Sequence, residues 1–293
     1  MNWRLEDRLE AAEARDAPLD FCQWPYERPV APAPDALRTS ALLYKSFALA
    51  GVSGRMLEFC DALVARLGRF RTVWGIKWAD GRLSWEFYFY DYARMERRFG
   101  MGDFIDLARP FFPVTAPALD GVPHFMFSVE LDAALIAGQG ALDRIDMYMG
   151  NPGSAVSSGI CYGVSRQGCE MRNFYFFFDA RSQMQEVREK LVSNAHLPMR
   201  QLELDRLLWP RMKDAQIVVV ANKRWNDGLY FSRIGIDPLV HFLERLRFPE
   251  GLTGFARESR DRLAHHLFDV GYDHAPGTGR DPVLLKGSIY GLL

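Results

Sequence analysis

The sequence predicts one α+β domain in which long antiparallel hairpins alternate with helix pairs, the hairpins closing into a barrel with the helices outside. Three observations carry this. The hydrophobic period switches repeatedly between that of a helix and that of a strand. The strands come in pairs joined by turn signals, whereas a parallel α/β fold alternates single strands with helices. No shift of composition marks a second domain within 38–293.

In order, Trp3 to Arg15 reads as a short, highly charged helix, and Pro25, Pro29, Pro32 and Pro34 mark an extended stretch without helix or strand pattern. Residues 1–37 are therefore expected to be an N-terminal helix and Pro-rich arm, and 38–293 the barrel domain. Leu42, Leu43, Phe47, Met56, Phe59, Leu63 and Leu67 have helical spacing, broken by Gly51-Val52-Ser53-Gly54 into two helices. Thr72–Trp78 and Leu83–Asp91 are rich in β-branched and aromatic residues, and Asp80-Gly81 between them signals a hairpin. Helices are expected near 92–99 and 102–110, a strand at His124–Leu131 and a helix at Ala133–Leu142. Strands follow at Ile145–Met149, Ile160–Val164 and Met171–Asp179, with Arg166-Gln167-Gly168 turning the last pair. After helices near 181–194 and 200–209, a third hairpin joins Ile217–Arg224 to Leu229–Ile236 through Trp225-Asn226-Asp227-Gly228. Helices near 238–247 and 251–266 precede strands near 268–272 and at Pro282–Leu292. A closed barrel also removes exposed strand edges.

Lys plus Arg number 36 and Asp plus Glu 37, a formal net charge of −1, so there is no electrostatic footprint for nucleic acid or an anionic membrane. Cys22, Cys60, Cys161 and Cys169 form no CxxC pair and no zinc spacing, which fits reduced, structural thiols. The charged start does not resemble a signal peptide, and no apolar run approaches the roughly 18 residues of a membrane span. A cytoplasmic location is expected. No GxGxxG, P-loop, GxSxG or DDxxD motif is present, and the histidines, including the adjacent His265 and His266, are not spaced as metal ligands.

Side chains alternate across a strand, so each hairpin has a helix-facing and a lumen-facing side. In Ser84–Tyr90, Trp85, Phe87 and Phe89 suit packing under helices, which turns Ser84, Glu86, Tyr88 and Tyr90 inward. Lys77 interrupts an apolar run in the partner strand. Asn173, Tyr175 and Phe177 share a face, as do Lys286, Ser288 and Tyr290. Lys223 and Tyr230 share a face across the third hairpin; the opposite choice would turn Asn222 and Arg233 inward. A lumen of Lys, Tyr and aromatic rings suits an anion beside a developing carbocation: buried ammoniums need an anion, and ring faces stabilise a cation. The other reading places these lysines at strand ends, reaching solvent.

This element order over about residues 40–293 resembles the ABBA aromatic prenyltransferases, named for repeated α-β-β-α units. Gly81-Arg82-Leu83-Ser84-Trp85-Glu86-Phe87-Tyr88 resembles that family's first hairpin. Leu142–Met147 through Asn173–Phe176 resembles its central hairpin, and Lys286-Gly287-Ser288-Ile289-Tyr290 its closing strand. The strand at His124–Val129 lacks the Lys found near that place in many members, and the third hairpin is short. The resemblance implies a ten-stranded antiparallel barrel with helices outside. The implied activity is transfer of a prenyl group from a soluble diphosphate, dimethylallyl or geranyl, to an aromatic small molecule or peptide side chain.

On that basis Lys77, Tyr88, Asn173, Tyr175, Lys223, Tyr230, Lys286 and Tyr290 are expected to hold the diphosphate, and Glu86 to orient the acceptor and take its proton. Tyr88 occupies the place of the Asp that binds metal in Mg-dependent members, so no metal site and no required cofactor are expected, although Mg is compatible. Two rival readings are a non-catalytic barrel for a hydrophobic or anionic small molecule, and an interaction scaffold using the Pro-rich arm at 25–34.

Overall fold

The computed structural model describes the chain apart from residues 1–2, 15, 17–18, 22–23, 27, 91–97, 152–156, 195, 197–202 and 278–280. A 3-10 turn at Glu6–Arg8 precedes a small hairpin, β1 (Leu19–Phe21) with β2 (Trp24–Tyr26), and the helices α1 (Ser40–Leu49) and α2 (Gly54–Leu67). Next come β3 (Val73–Ala79), β4 (Arg82–Tyr90), α3 (Met101–Ala108), β5 (Met126–Asp132), α4 (Ala133–Ile136), β6 (Arg144–Asn151), β7 (Ser157–Ser165) and β8 (Gly168–Asp179). The chain continues through α5 (Met184–Val192), α6 (Leu204–Leu207), a 3-10 turn at Pro210–Met212, β9 (Ile217–Lys223), β10 (Asp227–Ile234), α7 (Ile236–Arg245), α8 (Glu250–Glu258) and α9 (Arg260–Leu263). It ends with β11 (Phe268–Ala275) and β12 (Val283–Leu292).

β3 to β12 close into a ten-stranded barrel, each strand antiparallel to the next and β12 paired back to β3. Asp80 and Gly81 both have positive φ, 50° and 73°, as the two-residue turn between β3 and β4 requires. The weakest seam joins β5 to β6, registered only at Met126–Tyr148, Phe127–Met147 and Ser128–Asp146.

The helices cover the outside of the barrel. Phe47 of α1 meets Trp85 edge-on at 5.0 Å, Trp85 Nε1 donates to Ser46 Oγ at 2.8 Å, and Phe59 of α2 meets Phe87 at 5.5 Å. These rings are fully buried, and each contributes on the order of 1.5–3 kcal/mol. Two smaller apolar clusters lie apart from this outer core, on the inner face: Val73 with Leu292, and Met126 with Tyr148 and Cys161. An interior of about eight strands is just filled by side chains. Ten strands leave a lumen, and Tyr88, Tyr175, Tyr230 and Tyr290 stay partly accessible within it.

Several expectations are corrected. Trp3 to Arg15 is not a helix beyond its 3-10 turn: Ala11 bridges Leu37, and the charges reach out to the body, Arg8 to Asp61 at 2.8 Å and Glu10 to Arg38 at 3.2 Å. Trp3, Leu5 and Leu9 pack on the body, and these tertiary contacts, not helical hydrogen bonds, set the backbone of the stretch. β1 and β2 lie just ahead of the Pro-rich stretch and at its start, where no strand was expected. Ala133–Leu142 is helical only to Ile136, because Gly138 and Gly140 take φ of 84° and 92°. The helix expected at 251–266 is two, α8 and α9. Asp227-Gly228 belongs to β10 rather than the turn, paired with Asn222 and Ala221. Most of the helix expected at 92–99, and the start of that at 200–209, lie outside the described residues.

Candidate functional site in the barrel lumen

All nine residues singled out from the sequence face the lumen. β3 and β4 bring Lys77, Glu86 and Tyr88 together: the Lys77 ammonium contacts the Glu86 carboxylate, and Tyr88 OH donates to Glu86 Oε2 at 2.6 Å. Ser128 Oγ donates to Glu86 Oε1, and Tyr148 OH lies 3.4 Å from the same oxygen. Both oxygens of Glu86, a side chain 4% exposed, are thus taken by two donors each.

Lys77 also reaches Glu130 Oε2 at 2.8 Å, and Ser84 Oγ donates to Glu130 Oε1 at 2.8 Å. Burial alone would raise the Glu130 carboxyl, but Lys77 and Ser84 bring it down to about 2. Burial would likewise lower Lys77, and the carboxylates of Glu130 and Glu86 hold it well above the usual lysine range.

The basic side of the lumen comes from β9, β11 and β12. Lys223 Nζ contacts Asp273 Oδ1 at 2.6 Å and Tyr230 OH at 3.2 Å, and Lys286 Nζ contacts Asp273 Oδ2 at 3.1 Å. Burial, then the neighbouring Lys223, lowers Lys286 to about 8. Asn173 is registered with Lys223 and donates to Tyr175 OH at 2.8 Å.

Five tyrosines form an arc of successive contacts beside these charges. Tyr290 meets Tyr88 at 5.9 Å, Tyr88 meets Tyr148 at 6.3 Å, Tyr148 meets Tyr175 at 6.2 Å, and Tyr175 meets Tyr230 at 6.2 Å. They come from the alternate strands β12, β4, β6, β8 and β10. Each has a small registered neighbour on at least one side, Gly75, Ser128, Cys161, Gly159 with Ala221, and Gly271, while the other sides of Tyr290, Tyr88, Tyr148 and Tyr230 carry Asp269, Val73, Met126 and Val219. Burial raises all five hydroxyls well above the usual tyrosine value, so they remain protonated donors.

The interior is therefore layered: charged toward the hairpin turns, tyrosine-lined in the middle, and apolar at Val73, Leu292, Met126 and Phe177. Beside the weak β5–β6 seam a cavity of roughly 330 Å³ is lined by Ser84, Ser128, Glu130, Asp132, Arg144 and Asp146, among others. Among the described residues, no group of three His, Cys, Asp or Glu side chains is placed to hold a metal ion, and no helix is long and apolar enough to cross a membrane. His124 packs against Phe127, which faces the helices, with Nδ1 at 2.6 Å from Val122 O. Asn222 faces outward to Asn194 and Asp227, so the choice that put Lys223 inward holds.

Sequence reasoning missed Ser128, Glu130, Tyr148 and Asp273. Alternation could have found them, because Ser128 and Glu130 share a face opposite Phe127, Val129 and Leu131, as Asp273 does opposite Tyr272 and His274. Fold and lumen together define a class, a closed antiparallel barrel with a charged and tyrosine-lined interior. No protein-family model matches the chain, and no curated protein matches it.

Proposed function

We propose that the barrel is a prenyltransferase, moving an allylic prenyl group from a soluble prenyl diphosphate to an aromatic acceptor, either a small molecule or a peptide side chain. One observation carries this: three lysines, an asparagine and an arc of tyrosines share the lumen with a buried carboxylate, Glu86, that accepts from Tyr88 and Tyr148.

In this reading Lys223 and Lys286, with Tyr230 and Asn173, take the diphosphate on the basic side, and Lys77 with Tyr88 and Tyr290 closes the arc. The allylic C–O bond breaks and its electron pair leaves with the diphosphate, whose growing charge the ammoniums and hydroxyls stabilise. The tyrosine faces hold the cation and exclude water that would quench it. The acceptor ring forms the new bond and gives up a proton to Glu86, once an acceptor group has displaced one of the donors now on that carboxylate. No cofactor is needed for these steps, and a magnesium ion accompanying the diphosphate is compatible with them.

One observation favours the rival reading of a binding barrel without catalysis. Glu86 has no unoccupied oxygen, so a ligand that leaves its four donors in place would be held and not transformed. Titration with a non-hydrolysable dimethylallyl or geranyl thiodiphosphate tests the donor site in either case. Binding by the full chain that is lost in Lys286→Ala supports the assignment, and absence of binding by the unmutated protein removes it.

A further inference from the structure

Asp273 stands at the centre of the basic side. Its Oδ1 takes Lys223 at 2.6 Å and its Oδ2 takes Lys286 at 3.1 Å, with the side chain 9% exposed. β11 places it there, registered with Gly228 on one side and Lys286 on the other. Gly228 leaves the room: a Cβ at that position would lie 3.1 Å from Asp273 Oδ1 and 3.3 Å from Lys223 Cε. A carboxylate with one ammonium on each oxygen has the acceptor geometry that two phosphate oxygens would offer the same lysines.

The charges of the arc cancel. The ammoniums of Lys77, Lys223 and Lys286 face the carboxylates of Glu86, Glu130 and Asp273. A diphosphate entering an arc already neutral must take ammoniums away from a carboxylate. Glu86 and Glu130 also receive hydroxyl donors, from Tyr88, Ser128 and Tyr148 and from Ser84. The described partners of Asp273 are the two ammoniums alone. Of the three carboxylates, Asp273 is the one whose described partners are ammoniums alone, so it loses both when its cations are taken and competes most directly for them.

Resting on the prenyl diphosphate reading above, we propose that Asp273 is a built-in stand-in for the diphosphate, holding Lys223 and Lys286 in place in the empty barrel and competing with the ligand for them. It prevents two neighbouring ammoniums from facing each other without a counterion. It also weakens the hold on diphosphate, so the diphosphate released by the reaction exchanges for Asp273 and leaves. Asp273 is a specificity and release device and touches no reacting carbon.

The test is calorimetric titration of the full chain with inorganic diphosphate, comparing the unmutated protein with Asp273→Asn and Lys286→Gln. Asp273→Asn keeps the shape and removes the competing charge, so its diphosphate affinity rises about tenfold or more and falls more steeply with salt. Lys286→Gln weakens binding by a similar factor. Asp273→Asn also melts at a lower temperature without ligand and gains more in Tm on adding diphosphate, and this second readout serves if the variant is too unstable to titrate. Equal or weaker binding by Asp273→Asn, with no larger gain in Tm, overturns the inference while the anion site stands. Absence of diphosphate binding in both proteins removes the prenyl diphosphate reading and the inference with it.

Discussion

Tyr290 lies against Gly75 of the neighbouring strand: a Cβ on Gly75 would fall 2.9 Å from the ring's Cε1, with the Tyr88 ring 3.6 Å away on the other side. Gly75 lets the Tyr290 ring lie back against the wall, as Gly271 does for Tyr230. Gly75→Val should push Tyr290 toward the lumen axis at a cost of about 1–3 kcal/mol of stability. The narrowed lumen should lose geranyl thiodiphosphate affinity more than dimethylallyl. Thermal melts and titrations of both ligands check this, and equal losses for the two would contradict it.

Glu86 accepts from Tyr88 and Tyr148 and is the carboxylate assigned to the acceptor proton. Glu86→Gln should lower turnover by roughly 10²–10³ while leaving diphosphate affinity within a few-fold of the unmutated value. Glu130→Gln, which perturbs Lys77 from the far side, should do less to turnover. Steady-state rates beside diphosphate titrations separate the two, and equal losses of turnover would remove the special role of Glu86.

Lys286 gives the site a pH dependence of known sign. Its folded value, about 8, lies below the lysine reference, so it is charged below pH 8 and neutral above. Diphosphate affinity should be greatest below pH 8 and fall as pH rises through it, because the neutral amine no longer attracts the anion. In the empty protein the unfolded chain binds the extra proton, so this group alone makes stability rise with pH above about 8. Titrations from pH 6.5 to 9.5 check the first statement, and an affinity that rises across that range would contradict it.

His265 and His266 predict acid sensitivity at the junction with the N-terminal arm. Burial, then Arg28, lowers His265 to about 4, and burial, then His265, lowers His266 to about 3. His266 Nε2 meets Leu37 O at 2.8 Å, ahead of α1. Both folded values lie below the unfolded one, so their contribution is full above about pH 6.5 and is lost as pH falls toward 4 and then 3. Melting temperatures between pH 7 and 4 should fall less steeply in His265→Gln/His266→Gln, and an unchanged slope would sink this account.

The barrel was legible because its hairpins are local. Asp80-Gly81 marks a turn within one hairpin, and Ser84–Tyr90 alternates so cleanly that burying Trp85, Phe87 and Phe89 leaves one choice of face. The same logic pointed Lys77, Asn173 and Lys286 inward, and left two choices of face for Lys223 that the contacts of Asn222 decide. The partners of those lysines were not legible. Asp273 meets Lys223 across 50 residues and Glu130 meets Lys77 across 53, between strands two apart in the sheet whose relative register no single hairpin sets. The N-terminal stretch misled for a different reason: its charges look like a solvated helix, but Arg38 gathers Glu10 and Asp16 into a tertiary cluster. Asp227-Gly228 misled as well, because its glycine serves the packing of Tyr230, Lys223 and Asp273 and not a turn.

The central claim is prenyl transfer inside the lumen. Its most direct test is incubation of the full chain with dimethylallyl or geranyl diphosphate and a panel of aromatic small molecules and Tyr- or Trp-containing peptides, read by mass spectrometry. A prenylated acceptor with release of diphosphate, abolished by Lys286→Ala and sharply reduced by Glu86→Gln, is the predicted result. Product formed equally by the unmutated protein and by Lys286→Ala, or no product with any acceptor although the donor analogue binds in the lumen, would contradict it.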